Sequence, residues 1–128
     1  ATLVEGVHGV VDATDNFQTR YLLNRACIGE KIPFFHAAID GLMGQVTTVV
    51  PEETACLRCI FPRPPPTRKF PVLGATAGFV GSIQAMEVVK FITGKGELLT
   101  NRLLIIDGEG MQCFKIDVKR NPECPDCG

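Results

Sequence analysis

An α/β fold built on a mixed sheet is what this 128-residue sequence predicts, and three features predict it. A short apolar run, Val7–Thr14, ends at Asp15-Asn16 and passes directly into a stretch of good helix formers, which is the opening of a βαβ unit. Further runs rich in β-branched residues follow, interrupted by one long apolar segment with helical spacing. Two Cys-x-x-Cys clips, Cys56–Cys59 and Cys124–Cys127, bracket the second half of the chain. With 45% hydrophobic residues, 21% charged residues and a formal net charge of −1, residues 1–128 read as one globular domain. That near-neutral balance, without a basic stripe interleaved with aromatics, offers no footprint for nucleic acid. Pro71–Ile92 comes closest to a membrane span, but Ser82, Gln84, Glu87 and Lys90 interrupt it.

Each element has its own justification. Val7–Thr14 has the pattern of a strand buried on both faces of a parallel sheet. Asp15 and Asn16 are preferred helix N-caps, and the helix Phe17–Ile28 stops at Gly29, a natural C-terminal stop. Lys31–Ile39 reads as the next strand, with Pro33 near its start, where a missing donor does no harm. Asp40-Gly41 turns the chain, and Gln45–Val50, β-branched from Val46 onward, is a strand antiparallel to its predecessor. Pro62, Pro64, Pro65, Pro66 and Pro71, with Arg63, Arg68 and Lys69 among them, predict an exposed polyproline-like loop, too stiff and polar for a core.

Gly74–Thr93 is a helix apolar on most sides, and so predicted to be buried on most sides. Its Gly74, Gly78 and Gly81 each cost about 1 kcal/mol of helix propensity relative to Ala, which close approach to a sheet, a helix or a second subunit would offset. Arg102–Ile106 and Gln112–Val118 form an edge hairpin around Asp107-Gly108-Glu109-Gly110. Cys113, Lys115 and Asp117 alternate with Phe114, Ile116 and Val118, so one face of the last strand is predicted to be wet.

Two thiols on a tight turn hold two corners of a metal tetrahedron, and two such turns complete an S4 site. Structural zinc on Cys56, Cys59, Cys124 and Cys127 is the favoured reading, because both pairs share one spacing and thiolates select zinc or iron. Iron, as in half of a rubredoxin site, and disulfides are the alternatives. Cys27 and Cys113 sit inside apolar runs and are predicted to be small core hydrophobes.

In open α/β sheets ligands bind beyond the carboxyl ends of strands, where Asp15 and Asn16 lie. Asn16, Arg20 and Asn24 are spaced to form one polar row on the helix. A carboxylate, a guanidinium, two amides and a helix N-terminus together suit a Mg2+-bound phosphate. The plainer reading is N-capping for Asp15 and Asn16 and a solvated face for Arg20 and Asn24, and spacing alone leaves both open. His8 and His36 lack a nucleophile at motif spacing and read as satisfied polar residues. Gly41-Leu-Met-Gly44 does not follow a strand and open a helix, so no phosphate-cradling glycine loop is present.

Taken together and in order, several motifs resemble the adenylyltransferases of molybdopterin-synthase and thiamine biosynthesis and their relatives, the ubiquitin-activating enzymes. They are Val10-Val11-Asp12-Ala13-Thr14-Asp15-Asn16, Arg20, Asn24, Gly44-Gln45, Cys56-x-x-Cys59, the helix ending Gln84–Lys90, Asp107-Gly108 and Cys124-Pro-x-Cys127-Gly. The resemblance implies the C-terminal part of a Rossmann-like fold of that family, with a mixed sheet, a buried helix and a four-cysteine zinc staple. It implies an ATP-dependent enzyme that adenylates the C-terminal glycine of a ubiquitin-like sulfur carrier ending in Gly-Gly, with release of pyrophosphate. By the same resemblance Asp15 and Arg20 are catalytic, Asp15, Asn16 and Asn24 contact MgATP, and the four clip cysteines hold structural zinc.

The family's Gly-x-Gly-Gly-x-Gly turn and ribose-binding acid have no counterpart in the chain, so it is expected to be a C-terminal fragment, inactive alone. The loop Pro62–Pro71 holds no cysteine, and thioester or persulfide transfer through it is not expected. A cytoplasmic homodimer is expected, joined through the glycine-bearing helix. The alternative is a non-catalytic, zinc-stapled protein-binding module of the same fold.

Overall fold

The structure, a computed structural model, describes residues 2–128. A five-stranded mixed sheet organises it, in the spatial order β1 (Val10–Val11), β2 (Phe34–Asp40), β3 (Met43–Val49), β4 (Arg102–Asp107) and β5 (Gln112–Asp117). β1 and β2 run parallel, joined through helix α1 (Phe17–Glu30), and every later pairing is antiparallel. That is the βαβ unit and the antiparallel extension the sequence predicts. The first strand is much shorter than Val7–Thr14, and Val11 is half exposed rather than buried on both faces. α1 runs one turn-fraction past Gly29 and stops at Lys31, which takes the left-handed conformation (φ 56°).

Alternation along β2 and β3 separates the two faces. Phe34 and Val49 pack under α1 with Tyr21, Cys27, Leu57 and the clip cysteines. Ala37 and Val46 face the other way and pack on Val80 of helix α3 (Gly74–Thr93) with Leu99 and Ile106. α3 lies close on the sheet because Gly44 has no side chain: a Cβ there would sit 2.5 Å from a Val80 methyl. Burial pushes the Cys27 thiol up to about 12, so it is an inert core group as predicted. Cys113 is not; it lies exposed on β5.

The prediction for α3 fails in an informative way. The residues it buries are Thr76, Val80, Gln84 and Glu87, three of them polar, whereas Phe79, Met86, Val89 and Ile92 are exposed. Each buried polar group has a partner, as it must. Gln84 Nε2 donates to the carbonyls of Asp12 (2.8 Å) and Phe35 (2.7 Å), and Thr76 Oγ1 donates to the Gly41 carbonyl at 2.7 Å. The Glu87 carboxylate accepts from Thr48 Oγ1 at 2.9 Å and from the Leu99 N–H, and pairs with Lys90. A Cβ at Gly74, Gly78 or Gly81 would meet nothing within 4 Å, so their close-approach role is not met among the described residues.

The hairpin β4–β5 is at the sheet edge as predicted, but β5 is exposed on both faces, Phe114 and Ile116 included. The proline loop runs exposed and irregular between α2 (Leu57–Ile60) and α3. Among the described residues no helix is long and apolar enough to cross a membrane.

Candidate functional site

The loop that leaves β1 is fixed from beneath by one buried carboxylate. Asp12 Oδ2 meets Arg20 Nε at 3.2 Å and His36 Nδ1 at 2.8 Å, while its Oδ1 accepts from the Thr14 N–H and hydroxyl at 2.9 and 2.7 Å. Burial alone would push this carboxyl up, but the hydrogen bonds of His36 and Thr14 hold it below the usual range. Arg20 also donates through Nη2 to the Thr14 carbonyl at 2.6 Å. Gln45 Nε2 donates to His36 Nε2 at 3.1 Å, so the proton on the ring sits on Nδ1 and points at Asp12. Burial holds the His36 pKa below its ordinary value, against the pull of Asp12. His36 is therefore the satisfied polar residue predicted, within a chain Arg20–Asp12–His36–Gln45. Sequence reasoning passed over Asp12 as a site residue; a carboxylate closing the apolar run Val10-Val11 was the available signal.

Asn16 caps α1, its Oδ1 accepting from the Thr19 N–H at 2.8 Å, and its Nδ2 donates to Asp15 Oδ1 at 3.1 Å. Capping thus falls to Asn16, and the exposed Asp15 carboxylate stands at the positive end of the helix without serving as a cap. Both residues line a cavity of about 710 Å³ whose wall also includes Arg20, Gln45, Arg58 and Phe61. Pro64–Arg68 of the proline loop form another side of it. An Arg68–Asp40 ion pair and a 2.9 Å hydrogen bond from the Gly41 N–H to the Pro71 carbonyl tie that loop to the end of β2.

Asn24, expected on the same polar row, is elsewhere. It is fully buried and absent from the cavity wall. Its Oδ1 accepts from the Leu57 N–H and its Nδ2 donates to Asp126 Oδ2, both at 3.0 Å. One amide thus joins the middle of the first cysteine clip to the middle of the second.

The clips meet as predicted. All four sulfurs lie within 4.8 Å of one another, with separations of 3.9 Å for Cys56–Cys59, 3.7 Å for Cys56–Cys124 and 3.4 Å for Cys59–Cys127. Four sulfurs each about 2.3 Å from one ion would stand about 3.8 Å apart in a tetrahedron, so the group fits a metal. None is a disulfide, and all are free thiols. α2 begins at this site, with the Cys59 N–H bonded to the Cys56 carbonyl at 3.0 Å, and the Asn121 N–H approaches Cys59 Sγ at 3.4 Å.

Comparison with known proteins gives the geometry a context. The SAMP-activating enzyme E1 of Haloferax volcanii is 46% identical over 132 residues, covering 98% of this chain and 48% of that protein. The sulfur carrier protein adenylyltransferase of Thermus thermophilus is 41% identical over 130 residues, 93% of this chain and 48% of that protein. The chain spans about half the length of these curated relatives. Among solved structures, E. coli MccB with ATP superposes with a TM-score of 0.84 at 21% identity, over 99% of this chain and 41% of that one, a likeness of fold. The profile of the ThiF family matches residues 1–126, and the chain belongs to that family.

Proposed function

We propose that the chain is the C-terminal half of an ATP-dependent adenylyltransferase that activates the terminal glycine of a ubiquitin-like sulfur carrier. The observation that carries this reading is the cavity at the N-terminus of α1, where an uncapping carboxylate, Asp15, faces open space in a ThiF-family chain. The names of its relatives, a SAMP-activating enzyme and a sulfur carrier protein adenylyltransferase, support the same chemistry. The upstream half would supply the glycine-rich phosphate turn this sequence lacks.

In this reading Asp15 holds the Mg2+ of MgATP, and Asn16, tied to it, borders the nucleotide. A carboxylate oxygen of the carrier's last glycine bonds to the α-phosphorus as the bond to pyrophosphate breaks, leaving an acyl adenylate. The N–H groups at the start of α1 lie where they would meet the charge that develops, and Mg2+ bound with the nucleotide would neutralise part of it. Arg20 works as a positioning residue: its hydrogen bonds to Asp12 and Thr14 hold the loop that carries Asp15. The carrier's extended Gly-Gly tail enters beneath Pro64–Arg68, which form one side of the cavity. Zinc, in this proposal, occupies the cysteine tetrahedron and fastens the base of that loop to the C-terminal segment; it takes no chemical step.

A homodimer through α3 fits its exposed Phe79, Met86, Val89 and Ile92 and its three uncovered glycines. Reduced, paired thiols accord with a cytoplasmic protein. Isothermal titration of the full-length protein with MgATP and a carrier ending in Gly-Gly, with pyrophosphate release followed in parallel, tests the proposal. Asp15→Ala should lower turnover at least about 100-fold; no turnover by the wild type, or an unchanged rate in the variant, overturns it.

A further inference from the structure

Three arginines line the cavity, and two are committed elsewhere. Arg20 is bound to Asp12 and Thr14, and Arg68 is paired with Asp40. Arg58 differs. Its guanidinium lies over the Tyr21 ring, 4.3 Å from the centroid, and makes no ion pair among the described residues. Its Nε is buried and has no hydrogen-bond partner. A buried donor left unmet is uncommon in a folded protein, and no described group of this chain holds the guanidinium through it.

The backbone beneath Arg58 is held firmly. It occupies the second variable position of the first clip, between Cys56 and Cys59; the preceding Leu57 N–H is bonded to Asn24. Tyr21, which supports the guanidinium, is itself anchored by its hydroxyl donating to the Phe61 carbonyl at 2.6 Å. One face of the guanidinium and its Nε are thus packed while the residue lines the cavity, and the two terminal nitrogens of such a fork match a carboxylate or phosphate with two parallel N–H···O bonds.

We propose that Arg58 is the oxyanion-binding residue of the cavity. If the cavity is the adenylation site, as proposed above, the oxyanion is either the terminal carboxylate of the carrier or a phosphate of the nucleotide. The cysteine clip would then do more than staple the fold, because it carries the cation that receives the reacting group.

The test uses the full-length protein with Arg58→Met, which keeps much of the packing without the charge, and Arg58→Lys, which keeps the charge without the fork. Each is titrated with a non-hydrolysable MgATP analogue and, separately, with a peptide ending in Gly-Gly. Zinc content and Tm are measured alongside. Arg58→Met should weaken one of the two ligands by about 10- to 100-fold with zinc retained, and Arg58→Lys should recover part of the loss. A loss confined to the analogue identifies a phosphate; a loss confined to the peptide identifies the carboxylate. Both affinities within two-fold of wild type, or equal losses in both variants accompanied by loss of zinc, overturn the assignment. Neither titration needs turnover: a wild type that binds through Arg58 without releasing pyrophosphate sinks only the adenylation reading, and turnover with binding indifferent to Arg58 sinks only this one.

Discussion

Asn24→Ala separates two roles for one residue, ligand contact and clip anchor. The structure gives its amide two bonds, one from the Leu57 N–H and one to Asp126 Oδ2, each 3.0 Å. Truncation leaves the buried Leu57 N–H without an acceptor, which costs about 1–3 kcal/mol. The lost bond to the Asp126 carboxylate adds about 1 kcal/mol once water replaces part of it at this less buried partner. The void left by the amide adds roughly another 1 kcal/mol. A total near 3–5 kcal/mol should lower Tm by about 10–20 °C in a domain of this size.

Because the two bonds end on the residues between the cysteines of each clip, metal retention should suffer too. Zinc affinity is expected to fall about 10- to 100-fold, as it does when groups that orient metal ligands are removed. Asn24→Asp should be as damaging: it preserves the acceptor for Leu57 but sets a second carboxylate against Asp126. Competition with a chromogenic chelator reads the metal affinity, and titration at saturating zinc reads nucleotide affinity, which should stay within two-fold of wild type. Lost nucleotide binding with unchanged zinc affinity would refute the anchor role and restore the ligand role that the helical row implied.

Three further outcomes follow from the same contacts. Gly44→Ala should destabilise by about 1–3 kcal/mol in a urea titration, since its Cβ would stand 2.5 Å from a core Val80 methyl that cannot swing away; an unchanged midpoint would mean that α3 does not lie this close. His36 should remain a neutral imidazole with its proton on Nδ1 at pH 6.5, read from 15N chemical shifts, whereas a free imidazole is about half protonated there. Its depressed pKa lets the unfolded state bind the extra proton first, so stability should be lost as pH falls below about 6.5, by at most about 1.4 kcal/mol per pH unit for this one group. The His36→Gln variant should lack that part of the slope, and an equal slope in both proteins would argue against a buried neutral ring. Chelator treatment should unfold the region around both clips, with Cys56→Ser doing the same, while elemental analysis of the untreated protein gives about one zinc per chain; a coloured protein containing iron would contradict the zinc assignment.

What could be read in advance was whatever repeats or spaces itself locally. The β-branched run Val46–Val50, the turn at Asp40-Gly41 and the hairpin at Asp107–Gly110 are short-range signals, and each corresponds to an observed element. Cys-x-x-Cys spacing carried the metal site because two residues between thiols already constrain the turn. Long-range pairings were less legible. Nothing in the spacing of Asn16, Arg20 and Asn24 distinguishes a residue that lines a cavity from one that reaches Asp126, 102 positions away.

The inverted burial of α3 has a related cause. Hydrophobicity predicts which residues avoid water, but this chain buries Gln84 and Glu87 where the Asp12 and Phe35 carbonyls, the Thr48 hydroxyl and the Leu99 N–H need partners. Which face of a helix apolar on most sides meets the sheet depends on those groups, and they lie far away in sequence. β5 was misread for want of the same information: alternation set its two faces apart but could not tell that neither is covered among the described residues.

The most direct test of the central claim is the mass of the carrier itself after brief incubation of the full-length protein with MgATP and a ubiquitin-like carrier ending in Gly-Gly. The account predicts that the wild type yields carrier heavier by one adenylyl group at its terminal glycine, and that Asp15→Ala yields almost none. Carrier adenylylated equally well by Asp15→Ala, or left unmodified by the wild type, would contradict it.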